Sequence, residues 1–175
     1  MSGQLGGRPE IVPLDEQRPL RRLGTEGLDL LTSLPFQGLQ TLPQLLGAHA
    51  VPLGRRAVRV VISDFLFPHD PESLVRQLAG EASVLWLVQV LTAWEADPAP
   101  QGGRKLVDVE TATEADLILD RRTVAAYRDR LKRLQDALAL NCRRAHAQFV
   151  TLVAERGLLA LCRDELCRME MLRPA

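Results

Sequence analysis

Ala57-Val58-Arg59-Val60-Val61-Ile62-Ser63-Asp64 is the stretch on which the fold turns. Its β-branched, almost continuously apolar run suits a strand covered on both faces better than one with a solvated side. Ser63 and Asp64 end it. Asp70 followed by Pro71 then opens a helix in the manner of an N-cap with proline in the first turn. Leu74, Val75 and Leu78 give that helix one apolar side, and Gly80 closes it. Ser83-Val84-Leu85-Trp86-Leu87-Val88-Gln89-Val90-Leu91 repeats the buried-strand signature. Strand, helix and strand in this order make a crossover unit with parallel strands, so the expected class is α/β with a mostly parallel sheet flanked by helices.

Outward from that unit the punctuation changes. Gly3, Gly6, Gly7, Pro9, Pro13 and Pro19 break any long helix and mark residues 1–22 as an irregular arm, with at most one short strand near residues 11–14. Residues 23–175 then form the α/β domain. Leu28, Leu30, Leu31 and Leu34 approximate a helical stripe stopped by Pro35. A second short helix follows Thr41, with Pro43 in its first turn, Leu42, Leu45 and Leu46 on one side, and Gly47 at its end. Beyond residue 91 comes a loop with two prolines and the Gly102-Gly103 pair, then short strands at 105–109 and 116–119 that pair as a hairpin. Thr123 reads as the N-cap or a first-turn residue of a long helix ending near His146. Val124, Tyr127, Leu131, Leu134, Leu138 and Cys142 recur at helical spacing along it. Residues 148–153 read as a third strand and residues 158–169 as a final amphipathic helix.

Composition narrows the function classes. A chain of 175 residues is the size of one domain, and 46% apolar residues suffice for a core. Twenty-two basic residues balance twenty-two acidic ones, so no field of one sign draws the chain to nucleic acid or an anionic membrane. No apolar stretch approaches the ~18 residues of a membrane helix, so no membrane insertion is expected. Cys142, Cys162 and Cys167 are odd in number and accompany no signal peptide, which fits reduced thiols in a cytoplasm.

Asp64 is the first candidate for chemistry. Ligands of open parallel sheets gather outside the carboxyl ends of the strands, and a carboxylate there offers oxygen to a hard cation. The bland alternative is a loop or helix cap. Thr41, His69 and Asp70 are further candidates for that edge, although His69 reads first as a loop residue and Asp70 as a cap. Cys142 with His146, and Cys162 with Cys167, lack the close ligand pairs of a structural zinc site. Cys142 lies on an apolar helix stripe and reads as core. The acids Glu95, Asp97, Asp108, Glu110 and Glu114 could include a general acid and base, but nothing in the sequence brings them together. The common phosphate-loop, dinucleotide, esterase and zincin motifs are missing. Trp86 and Trp94 lack basic and aromatic neighbours and read as packing groups.

Four segments, in order, carry a resemblance: Phe36-Gln37-Gly38-Leu39-Gln40-Thr41, Val60-Val61-Ile62-Ser63-Asp64-Phe65, Val88 to Pro98, and Leu106-Val107-Asp108-Val109-Glu110-Thr111. Over roughly residues 25 to 170 the chain resembles a bacterial von Willebrand factor A-like family, domain of unknown function fifty-eight, whose genes commonly sit beside MoxR-type AAA ATPases. The most specific piece runs from Val88 to Thr111. The resemblance implies a Rossmann-like sheet with a metal-ion-dependent adhesion site at the strand ends. There a divalent ion, usually magnesium, is held by an Asp-x-Ser-x-Ser motif, a Thr and a later Asp. Thr41 matches the Thr and Asp64 the later Asp; the Asp-x-Ser-x-Ser motif has no counterpart. The expectation is therefore an N-terminally truncated family domain, from a shortened gene or a mis-started product or with the gap filled by its N-terminal arm or a second copy, and with a degenerate site that binds magnesium weakly or not at all.

The expected role is a non-enzymatic interaction domain, with a MoxR-type AAA ATPase as the implied partner. Ser63, Phe65, His69, Glu95, Asp108 and Glu110 join Asp64 and Thr41 along the expected interaction edge, and no catalytic residue is assigned. Two alternatives stand beside it. One is a hydrolase or transferase using Asp64 with Asp108 and Glu110. The other is a self-associating structural or regulatory subunit, because a sheet lacking its first strand exposes an edge that favours pairing into a homo-oligomer.

Overall fold

The computed structural model describes residues 40–48, 53–107 and 114–168. These fall into two units, one holding residues 40–48, 53, 107 and 114 and the other residues 54–106 and 115–168. In the first, Leu42–Ala48 forms α1, with Leu42 and Leu45 buried. The irregular arm and the helix expected to end at Pro35 lie outside the described residues.

The second unit has α/β, Rossmann-like architecture. After α1 the described elements run β1 (Val58–Ser63), α2 (Pro71–Ala79), β2 (Val84–Leu91), α3 (Ala93–Ala96), β3 (Gly102–Val107), β4 (Glu114–Leu119), α4 (Arg121–Arg144) and β5 (Gln148–Val153). A short 3-10 turn, a helical turn α5 (Leu158–Leu161) and a π turn (Cys162–Leu166) follow. β1, β2 and β5 form a parallel sheet in that spatial order, with Val61 opposite Leu87 and Leu87 opposite Phe149. β3 and β4 pair separately, as the hairpin reading expects, although β3 begins earlier, at Gly102.

Register assigns each side chain a face. Arg59, Val61 and Ser63 share one face with Leu85, Leu87, Gln89 and Leu91, and α2 and α4 pack together over it. Leu74, Val75 and Leu78 of α2 are buried there, as are Val124, Leu131, Leu138 and Cys142 of α4. Arg59 is the buried cation of this layer among the described residues. Its guanidinium donates to the carbonyls of Leu78 and Gly80, both at 2.6 Å, and of Gly54 at 3.0 Å, stitching the start of β1 to the end of α2. Carbonyls at a helix C-terminus lack intrahelical donors and carry partial negative charge, so a buried cation belongs there. Burial lowers the Arg59 pKa, and the Glu81 carboxylate opposes that shift.

The opposite face is only partly covered. Leu161 joins Val88, Val150 and Leu152 in an apolar cluster, with Trp86, Val90 and Leu166 packed around it. β1 takes little part: Val58, Val60 and Ile62 remain 37%, 49% and 68% exposed. The expectation of a strand covered on both faces is corrected here. An unbroken apolar run does not say whether a second layer reaches every strand, and the C-terminal layer reaches β2 and β5.

Helix ends follow the sequence closely. Asp70 caps α2 by accepting the Ser73 N–H at 2.8 Å, and Gly80 closes it. Asp120 caps α4 by accepting the Thr123 N–H at 2.7 Å, so Thr123 lies in the first turn and the cap comes three residues earlier. The final helix is interrupted by the π turn, which closes with Cys167 N–H donating to the Cys162 carbonyl at 2.9 Å. No helix among the described residues is long and apolar enough to cross a membrane.

Candidate functional site

The carboxyl end of β1 is shaped by two short side chains. Ser63 Oγ accepts the Phe65 N–H at 3.1 Å, and Asp64 Oδ1 accepts the Leu66 N–H at 3.1 Å. Such side-chain bonds to the backbone two residues on replace ladder bonds with turns, which is why the strand stops here. Phe65 adopts a positive φ of 55° with its side chain fully buried. A non-glycine residue held there costs about 1–3 kcal/mol. Burial of a phenylalanine returns about 1.5–3 kcal/mol, so the buried ring offsets the bend that leaves Asp64 outside.

Beneath the turn lies a wholly buried amide. Gln89 donates from Nε2 to the Asp64 carbonyl at 2.7 Å, and its Oε1 accepts from Gln135 Nε2 and Thr151 Oγ1, both at 2.9 Å. One side chain thus joins β1, β2, β5 and α4. Sequence reasoning missed it. The available signal was a lone amide inside Leu87-Val88-Gln89-Val90-Leu91, because a polar group in a buried strand must find partners.

The end of β2 is braced in the same way. Thr92 and Glu95 form a reciprocal capping box around α3: the Thr92 N–H donates to Glu95 Oε2 at 2.8 Å, and the Glu95 N–H to Thr92 Oγ1 at 3.2 Å. Tyr127 of α4 donates its hydroxyl to the Glu95 carbonyl at 2.8 Å. Burial, then the Glu95 and Asp64 carboxylates, raise the Tyr127 pKa, which keeps that hydroxyl protonated. Glu155, after β5, accepts the Ala93 N–H at 2.8 Å. Arg128 pairs with Asp97 at 2.6 Å and donates to the Pro98 carbonyl at 2.9 Å.

Comparison with protein-family models, curated proteins and solved structures finds no match. Geometry carries the functional argument.

Ser63, Asp64, Phe65 and Glu95 meet at the carboxyl edge of the parallel sheet, with Asp64 the exposed member. His69 sits farther along the loop, half-buried, its Nδ1 2.8 Å from the Phe67 carbonyl and its ring 4.9 Å from that of Phe67. Thr41 opens α1 in the other unit, where its N–H donates to Gln44 Oε1 at 2.7 Å. Asp108 and Glu110 lie outside the described residues.

A magnesium site asks for about six oxygen ligands in near-octahedral array. Asp64 commits Oδ1 to its own turn, while Glu95 and Glu155 cap backbone N–H groups. Among the described residues no three His, Cys, Asp or Glu side chains gather into a metal-holding group. Among the described residues of this edge, these carboxylates are engaged by backbone N–H groups. What it presents is one carboxylate on a braced turn, and apolar side chains at the same strand ends: Leu66 is 38% and Trp94 40% exposed. Trp86 packs on the apolar cluster, as expected, while Trp94 keeps 40% of its surface exposed.

Proposed function

We propose that this chain is a non-enzymatic protein-interaction domain that docks on its partner through the carboxyl edge of the sheet, around Asp64. The observation that carries the reading is the braced turn itself. Asp64 is held outward by its own hydrogen bonds and by Gln89, and Leu66 and Trp94 are exposed in the segments that follow the same strand ends. A braced carboxylate with large apolar groups exposed at the same sheet edge suits a protein interface, since tryptophan is enriched among residues that dominate binding energy and a pre-set loop loses little entropy on docking. By the resemblance of the Val88 to Thr111 stretch, the partner is a MoxR-type AAA ATPase, the site is a degenerate adhesion site, and magnesium binds weakly or not at all. A pull-down of such an ATPase by the full chain tests the reading. Retention lost in Asp64→Ala and Trp94→Ala supports it, and no retention by the unaltered chain, with or without magnesium, overturns the partner assignment.

A second reading rests on a different observation. β1 is an edge strand among the described residues, and its outward Val58, Val60 and Ile62 form an apolar stripe. Edges of that kind pair with other strands, which favours self-association. Light scattering that returns a strict monomer over a wide concentration range excludes it.

A further inference from the structure

The charge balance of the whole chain averages over a local segregation. α4 carries eight basic and two acidic side chains in its 24 residues, in a chain whose basic and acidic residues are equal in number. Six of the basic residues fall in pairs, Arg121-Arg122, Lys132-Arg133 and Arg143-Arg144, each pair eleven positions after the last. Eleven residues are three helical turns and ~20°, so the pairs repeat along one side of the helix, ~16.5 Å apart and ~33 Å from first to last. That side is turned away from the core stripe of Val124, Leu131 and Leu138, and all six side chains are exposed. Lys132 pairs with Asp136 at 2.6 Å, while among the described residues no salt bridge engages the five arginines of these pairs.

Helix stability does not call for this arrangement. Arg121 and Arg122 stand in the first turn, which has no acidic residue and where the macrodipole disfavours cations. A local rule broken without a structural return points to a use in binding. The ground between the pairs narrows what binds. Ala125 and Ala126 lie between the first two pairs, Leu140 stands before the third, and Tyr127 turns inward to the Glu95 carbonyl. A single nucleic-acid strand asks for aromatic rings on which bases stack, and a tight protein interface for aromatic anchors. A membrane-surface helix asks for an apolar face free to insert, whereas that of α4 is in the core. What α4 presents is a straight row of guanidinium groups, each able to grip two phosphate oxygens. Duplex DNA is a regular polyanion of matching period, with a helical turn of ~34 Å.

We propose that the outward side of α4 is a sequence-independent binding surface for duplex DNA, which its three basic pairs hold by the phosphate backbone. The first and last pairs meet phosphates of one strand a turn apart, and the middle pair meets the backbone of the other strand where it crosses between them. The carboxyl edge of the sheet and Asp64 take no part.

Fluorescence anisotropy of the full chain with a labelled duplex about two turns long and of arbitrary sequence tests this. Binding should weaken with salt, with a slope of log affinity against log salt of roughly −4 to −5, as expected when about five phosphates are neutralised. Arg122→Gln, Arg133→Gln and Arg144→Gln together should weaken binding at least about tenfold and flatten the slope by roughly 3. Arg121→Gln with Arg143→Gln, in the flanking row, should flatten it by roughly 2. Arg55→Gln, Arg104→Gln and Arg163→Gln remove the same charge from exposed sites outside α4 and should leave both unchanged, as should Asp64→Ala. No binding by the unaltered chain at low salt, or an equal loss in the charge-matched control, would overturn the proposal. So would tighter binding to a single strand of the same length, to polyglutamate, or to vesicles of phosphatidylserine and phosphatidylcholine.

Discussion

The side-chain amide of Gln89 donates to the backbone carbonyl of Asp64 at 2.7 Å, across two neighbouring strands and from a position with no solvent exposure. Gln89→Leu keeps the volume and removes every partner. The Asp64 carbonyl loses its donor and the Thr151 hydroxyl its acceptor, while Gln135 Nε2 keeps only its 3.4 Å bond to Thr151 Oγ1, at about 1–3 kcal/mol for each group left unsatisfied and less where water reaches it. We expect a loss of roughly 2–4 kcal/mol. Urea unfolding should show a lower midpoint with an unchanged slope.

Arg59→Met should destabilise by a similar amount, roughly 2–4 kcal/mol, because three carbonyls lose their donor while the aliphatic packing is kept. Arg59→Lys should recover only part of the loss, since an ammonium is a point donor and cannot span three acceptors as a guanidinium fork does. Unfolding midpoints of the two variants compared with the unaltered chain decide the order.

Acid sensitivity should trace in part to two helix caps. Hydrogen bonds from Ser73 lower the pKa of Asp70, and those from Thr123, its N–H first, lower that of Asp120. A carboxyl depressed in the folded state contributes stability that is complete above its unfolded value, about 4, and is lost as pH falls through the lower folded value. Asp70→Asn with Asp120→Asn retains capping oxygens that do not titrate. The double variant should therefore lose less stability than the unaltered chain below about pH 4, measured by thermal melts across pH.

Asp64→Asn should leave stability within about 0.5 kcal/mol, as expected of an exposed position whose turn-forming oxygen is retained, yet reduce partner binding by removing the charge. Trp94→Ala should weaken binding at least about tenfold if the ring is an anchor. Magnesium titrated into the isolated chain should show no tight stoichiometric heat. A strong signal abolished by Asp64→Ala would contradict the degenerate-site reading.

The crossover unit was legible because its signals are local. β-branched runs, the Asp70-Pro71 start and the Gly80 stop each specify their own element, and β1, α2 and β2 fall where those residues put them. The long stripe from Val124 to Cys142 likewise gives α4, with only its cap displaced to Asp120. Asp64 at the strand end follows from the same pattern. What surrounds Asp64 does not, because Gln89, Tyr127, Gln135 and Thr151 come from three elements separated by up to 62 residues in sequence. One strand's pattern is equally silent about whether a neighbouring layer covers it, which is why the open side of β1 went unforeseen. The π turn leaves no periodic trace either, since Leu159, Leu161, Cys162 and Leu166 fit an ordinary amphipathic helix.

The one-sided burial of β1 has a consequence for how this segment tolerates change. Odd-numbered positions carry the structure: Arg59 ties the end of α2, Val61 packs under the helices, and Ser63 sets the turn. Even-numbered Val58, Val60 and Ile62 face outward and owe the sheet little beyond β-propensity. A saturation scan selecting only for folded protein should therefore return a sawtooth of period two along six residues, with threonine or lysine accepted at every second site. If the same scan selects for an assembled state and the sawtooth flattens, those three side chains are in use.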